Sequence, residues 1–290
     1  MKKPIFTGVC TALVTPFLDD KVNYPMMEML LRRQIDAGIS AVVIAGTTGE
    51  APTLSDEEKL ELIRRAKAYV RDACTIVAGT GSNSTAHAVA LSQEAEKAGA
   101  DALLMVTPYY NKATPAGLIA HYASIADSVN IPIILYNVPS RTGVDIPVSV
   151  YRRLAAIPNI IGVKEASTDI TKVARICNEC PKDFYIWGGN DEQTVPAMSL
   201  GAKGVVSVVS NLCPAETQLM ARSALHGDFD TAAALQLRLL PLIDLLFSEV
   251  NPIPVKEAMG LIGYDCGGCR LPLTTLTSEN REKLIKYLKK

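Results

Sequence analysis

The stretch Ile160-Ile161-Gly162-Val163-Lys164-Glu165-Ala166 reads as a buried β-strand with one residue out of character. Side chains alternate along a strand, so Lys164 shares a face with Gly162 and Ala166. Bulky Ile161 and Val163 suit the other, helix-facing side of a barrel wall, which leaves Lys164 pointing into a lumen with space around it. Desolvation penalises an ammonium, and Schiff-base formation needs the free amine. The bland alternative is a lysine that snorkels or pairs with a carboxylate.

Working outward, seven more short β-branched runs end in Gly, Thr, Pro or Asn. They lie near residues 8–16, 41–46, 75–79, 101–107, 131–137, 184–188 and 203–209. Amphipathic segments separate them, one opening at Ser55 with Asp56, Glu57 and Glu58 behind it, as suits a helix N-terminus. Others open near Ser84, Pro115, Pro147, Asp169, Asp191 and Pro214. Unbroken alternation of strand and helix predicts parallel strands with crossover helices, and eight such units predict a (β/α)8 TIM barrel over residues 1–227. A doubly wound open sheet is the competing α/β arrangement. Against it, no Gly-x-Gly-x-x-Gly turn follows the first strand, and polar residues are spread over many strand ends. Residues 228–290 keep a helical period without another strand and predict a C-terminal helical extension packed on the barrel.

Composition narrows the function. The 290 residues are 48% hydrophobic and 20% charged, with a net charge of -1 and no basic stripe for a nucleic acid. No apolar run reaches the ~20 residues of a membrane-spanning helix, and the early Pro4, Gly8 and Pro16 break any signal-like segment, so a cytoplasmic protein is expected. The seven cysteines read as reduced thiols. Two Cys-x-x-Cys pairs, at Cys177/Cys180 and Cys266/Cys269, lie far apart, one in a predicted helix and one in a glycine loop, so no metal is expected. His87, His121 and His226 form neither a metal pair nor a triad.

In a barrel of this kind the chemistry belongs at the C-terminal ends of the strands. Those ends carry Thr47, Thr48 and Glu50, then Thr80, Tyr109 and Tyr110, Tyr136 and Asn137, Lys164 and Glu165, and Gly188 to Asp191. Tyr136 is predicted at the depth of Lys164 one strand earlier, where a phenol can pass protons between carbinolamine, imine and enamine. The turn Gly46-Thr47-Thr48-Gly49-Glu50 lets backbone N–H groups converge on an anion such as a carboxylate.

Five motifs carry a resemblance that runs through nearly the whole chain. Beside the Gly46 turn and the Lys164 strand they are Thr107-Pro108-Tyr109-Tyr110-Asn111, Tyr136-Asn137-Val138-Pro139-Ser140-Arg141-Thr142-Gly143 and Asn251-Pro252-Ile253-Pro254-Val255-Lys256. Together they resemble the dihydrodipicolinate synthase family of pyruvate-dependent lyases. The resemblance implies that Lys164 condenses with pyruvate and that the enamine attacks L-aspartate 4-semialdehyde, giving 4-hydroxy-tetrahydrodipicolinate on the diaminopimelate route to lysine. It implies a proton relay of Thr47, Tyr136 and Tyr110, with Tyr110 supplied across a dimer interface. It also implies substrate binding by Thr48, Arg141, Gly189 and Val206, no cofactor, and a homodimer or a homotetramer built as a dimer of dimers.

Arg141 argues for this activity over sugar-acid cleavage, because its planar fork suits the semialdehyde's carboxylate and related sugar-acid lyases lack the Pro-Ser-Arg-Thr-Gly run. One departure concerns regulation. Relatives inhibited by lysine hold it with an asparagine, a tyrosine, a glutamate and a histidine. Asn83 and Tyr109 match, but His87 and Lys59 stand where the glutamate and histidine are expected, so lysine inhibition is predicted to be weak or absent.

Overall fold

The structure, a computed structural model, describes residues 1–289. Eight parallel strands close into a barrel: β1 (Gly8–Ala12), β4 (Ala41–Ile44), β5 (Thr75–Gly79), β6 (Ala102–Val106), β7 (Ile133–Asn137), β8 (Ile160–Glu165), β9 (Tyr185–Gly188) and β10 (Gly204–Ser207). The remaining two strands, β2 (Phe17–Leu18) and β3 (Lys21–Val22), pair antiparallel in a separate hairpin. All eight strands expected from the sequence are present. The first stops at Ala12 rather than near residue 16, and the hairpin follows it. Asp19 and Asp20 form its two-residue turn with φ of 49° and 61°, the positive values a tight hairpin requires.

Helices begin where the start signals predicted. Ser55 caps the helix Asp56–Val70 in a reciprocal capping box, its Oγ accepting from the Glu58 N–H at 3.2 Å while Glu58 Oε2 accepts from the Ser55 N–H at 3.0 Å. Ser84 and Asp169 cap the helices Thr85–Lys97 and Ile170–Glu179, and Pro115 opens Pro115–Ser128. After β10 the chain is helical: Pro214–Leu225, Phe229–Leu246, Ile253–Leu261 and Ser278–Leu288. Among the described residues no helix is long and apolar enough to cross a membrane.

Alternate strand residues separate into two apolar clusters. Val42, Ile76, Leu103, Leu135, Val163 and Val205 pack with the helices, and Cys10, Val43, Val77, Leu104, Ile134 and Trp187 fill the lumen. The fully buried Trp187 stacks on Phe6 with ring centroids 4.9 Å apart, and its indole N–H donates to the Phe6 carbonyl at 3.3 Å. The N-terminal segment thus fills one part of the lumen with aromatic surface.

One orientation expected from strict alternation is corrected. Val163 faces the helices, but Ile161 joins the lumen cluster. The register explains why: Ile133 pairs with Ile160 and Ile134 with Gly162, so Ile161 is the extra residue of an irregularity in the ladder. Beyond it the alternation resumes, and Lys164 pairs with Tyr136 on one side and Trp187 on the other.

Candidate active site

Gly162 sets the depth at which the lysine emerges. A Cβ there would lie 2.1 Å from the Tyr185 carbonyl oxygen and 3.0 Å from the Trp187 ring, so a side chain would drive β9 away from β8. Two residues on, Lys164 is only 6% exposed and its Nζ sits 4.1 Å from the centre of the Tyr136 ring. Among the described residues no carboxylate pairs with that amine. It opens on a cleft of about 420 Å³ that Thr47, Thr48, Arg141 and Gly189 also line.

The carboxylates nearest in sequence are engaged elsewhere. Glu165 points away from Lys164 into a buried network between β7 and β8, where its Oε1 accepts from Asn137 Nδ2 and the Ser167 N–H, both at 2.9 Å. Its Oε2 accepts from the Tyr151 hydroxyl at 3.1 Å, and burial together with this carboxylate pushes the Tyr151 phenol well above its ordinary value. Asn137 and Glu165 pair in register one step past Tyr136 and Lys164, so the network holds the two strands at the level of Lys164. Asp191 is buried after β9. Its Oδ2 accepts from the Val208 and Val209 N–H groups at 2.8 and 2.9 Å, while burial raises its carboxyl.

Gly189 lines the cleft for a steric reason. A Cβ there would meet the Ala166 Cβ at 2.5 Å. Tyr136 lines this cleft and a second cavity of about 430 Å³, so it stands between the two. The Thr107 hydroxyl and N–H both donate to the Tyr136 carbonyl at 2.9 Å, which steadies the strand end that carries the phenol.

Two expected residues lie apart from the cleft within one chain. Tyr110 is 88% exposed at a φ of 71° and is absent from the cleft lining. Val206 is buried in the lumen cluster, and Val208, two residues later, lines the cleft in its place.

The chemistry of the segment Asn251 to Lys256 could not be read from sequence, and the structure supplies it. Asn251 Nδ2 donates to the Thr48 hydroxyl at 3.0 Å, and the Asn251 carbonyl accepts from Arg141 Nη2 at 3.3 Å. Lys256 Nζ pairs with Glu50 Oε1 at 2.8 Å, both side chains being almost wholly buried, and also donates to the Gly268 carbonyl at 2.6 Å. The helical region after the barrel therefore grips the Thr47–Glu50 turn and Arg141 together. Its long helix Phe229–Leu246 also brings Ile243 and Asp244 to the cleft wall.

The chain matches the family model described as "Dihydrodipicolinate synthetase family" over residues 5–290. The chain belongs to the dihydrodipicolinate synthetase family. The 4-hydroxy-tetrahydrodipicolinate synthase of Acetivibrio thermocellus is 48% identical over 289 residues, covering 100% of this chain and 98% of the relative. Among solved structures, dihydrodipicolinate synthase from Thermotoga maritima superposes with a TM-score of 0.97 at 38% identity, covering 99% of this chain and 98% of that one. The chloride-inhibited dihydrodipicolinate synthase from Acinetobacter baumannii, complexed with pyruvate, gives a TM-score of 0.96 at 42% identity, covering 98% of each.

Within this family member, the residues at the expected effector position have their own arrangement. Asp56 accepts from His87 Nε2 at 2.6 Å and Lys59 Nζ at 3.0 Å, and His87 Nδ1 lies 3.1 Å from the Ser82 hydroxyl. Burial opposes the ionised form of Asp56, but the hydrogen bonds from His87 and Lys59 outweigh it and hold the carboxyl below its ordinary value. Asp56 was not expected there from the sequence, where it served only as a helix-start signal.

Proposed function

We propose that this chain condenses pyruvate with L-aspartate 4-semialdehyde through a Schiff base on Lys164, giving 4-hydroxy-tetrahydrodipicolinate for lysine biosynthesis. The observation that carries the reading is the buried Lys164 amine, without a carboxylate partner among the described residues, beside the Tyr136 ring and on a cleft that also holds Arg141. The names of the relatives and the pyruvate complex of the Acinetobacter baumannii protein support the same chemistry.

In this reading Lys164 Nζ attacks the keto carbon of pyruvate, and water leaves to give the imine. Loss of a methyl proton yields the enamine, whose nucleophilic carbon forms the new C–C bond to the aldehyde carbon while the aldehyde oxygen takes up a proton. The substrate's own amine then adds to the imine carbon, closes the ring and releases Lys164. Tyr136 is the proton carrier beside the imine, and Thr47 with Tyr110 completes the relay. Pyruvate's carboxylate rests on the Thr47–Thr48 turn, with Gly189 leaving room and Val206 supporting the lumen beneath. Arg141 forks onto the carboxylate of the semialdehyde.

Because Tyr110 is exposed and outside the cleft of its own chain, the relay is completed by a second copy, in a homodimer or homotetramer of the cytoplasm. Borohydride reduction in the presence of pyruvate, followed by peptide mass spectrometry, should place a reduced adduct on Lys164, and Lys164→Ala should abolish both adduct and turnover. A coupled assay should give turnover with pyruvate and aspartate semialdehyde but none with N-acetylneuraminate or 2-keto-3-deoxygluconate. Labelling at another residue, or activity on the sugar acids alone, would defeat the proposal.

A further inference from the structure

The cleft carries opposite charges on the two sides of Lys164. In the barrel β8 lies between β7 and β9, so Arg141, which follows β7, and Glu192, which follows β9, flank the lysine strand. Asp244, on the helix Phe229–Leu246, lines the same cleft as Glu192. Both carboxylates are exposed to solvent, and neither has an ion-pair partner among the described residues. Partial desolvation at the wall, and the nearby Asp191 and Asp244 carboxylates, push the Glu192 carboxyl above its ordinary value. Like charges placed together without a counter-ion favour a cation between them.

A second observation points to the same ligand chemistry. Asn251 is 5% exposed and lines the cleft, and while its Nδ2 is spent on Thr48, its Oδ1 has no hydrogen-bond donor among the described residues. A buried carbonyl oxygen left unpaired keeps the cost of its lost hydration, which a ligand N–H would offset. The cleft wall therefore holds two free carboxylates and, in Asn251, one unpaired buried acceptor, all suited to a positively charged N–H donor.

The aldehyde substrate of the reading above carries such a group. Its ammonium is attached to the same carbon as the carboxylate assigned to Arg141, and Arg141 is itself hydrogen-bonded to the Asn251 carbonyl. We propose that Asp244, Glu192 and the Asn251 amide oxygen receive the α-ammonium of the aldehyde substrate, and so select an amino-acid aldehyde over the same aldehyde acid without its amine. Arg141 alone cannot make that distinction, since both molecules carry the carboxylate. The inference rests on the proposed condensation and names the specificity determinants of that same cleft.

The test compares the full-length protein with Asp244→Asn, Glu192→Gln and the double variant. Two constants are read: the KM for aspartate 4-semialdehyde, and the inhibition constant of succinic semialdehyde, which has hydrogen in place of the ammonium. Asp244→Asn should raise the KM about 10-fold, the scale of one charge-assisted hydrogen bond, and the double variant should raise it further. The inhibition constant of succinic semialdehyde should stay within a factor of about 2, because Arg141 is untouched. The proposal is overturned if KM and the inhibition constant rise together, or if neither moves. Both carboxylates are exposed, so the amide variants test recognition rather than folding. Failure of the unmodified protein to turn over aspartate semialdehyde would reject the proposed condensation and this inference with it, whereas an active parent whose variants keep the same ratio of constants would reject this inference alone.

Discussion

Replacing Lys256 by methionine tests whether the segment after the barrel is energetically joined to the Thr47–Glu50 turn, proposed to hold pyruvate's carboxylate. The Lys256 and Glu50 side chains are 2% and 0% exposed, and their ion pair spans 2.8 Å. Lys256→Met keeps the length of the side chain and its contact with the Phe17 ring, whose centre lies 4.3 Å from Nζ, but removes the ammonium. Glu50 Oε2 would still accept from the Arg270 N–H at 2.9 Å, while Oε1, on a side chain that is wholly buried, would lose its ammonium donor. Leaving one member of a buried pair alone costs about 3–5 kcal/mol. At about 2–4 °C per kcal/mol for a chain approaching this length, the melting temperature should fall by on the order of 10 °C. Urea unfolding followed by far-UV circular dichroism measures the loss directly. The double variant Lys256→Met with Glu50→Gln should recover part of it, since no bare carboxylate remains, and in both the KM for pyruvate should rise because Glu50 ends the Thr47–Thr48 turn. A loss below about 1 kcal/mol, the range of an ordinary substitution, would refute the reasoning, as would a double variant no better than the single.

Two further outcomes follow from charges around the barrel mouth. Arg270 forks onto Glu58 at 2.7 and 2.6 Å and holds its carboxyl below the usual 4.5, so the stability contributed by this group is fully present above that pH and is lost as pH falls through the depressed folded value. Glu58→Gln should therefore cost about 1 kcal/mol at neutral pH and progressively less in acid, and a pH-independent difference in urea midpoint would contradict it. Added lysine should inhibit weakly or not at all, because Asp56 is committed to His87 and Lys59 and the Lys59 ammonium repels the effector's own; strong inhibition at micromolar lysine in a turnover assay would overturn this.

The residues that were legible in the sequence are those whose surroundings come from their own strand. Lys164 stood out because one strand of six residues contained a single charge that could face a lumen, and Tyr136 because parallel strands bring equivalent positions to equal depth, as the observed pairing bears out. Ile161 was misread for the same local reason: alternation assumes an unbroken ladder, and the shift between Ile133 and Ile134 is a property of two strands together. Asn251, Lys256 and Asp244 gave no chemical signal because each acquires its role across the fold. Asn251 meets a hydroxyl 203 positions away, and Lys256 a carboxylate 206 positions away. The same separation gives those contacts their consequence. In this architecture the strand ends supply the reacting groups, but each strand end runs on into a turn that leaves the ladder. A segment that returns after the eighth strand can hold two such turns at once, and Asn251 does so through its side chain to Thr48 and its carbonyl to Arg141. The spacing between the two positions proposed to bind carboxylates is thereby set by a part of the chain that contributes no strand to the barrel. Changes in that segment should consequently alter how well both substrates bind before they alter the reactivity of the lysine itself.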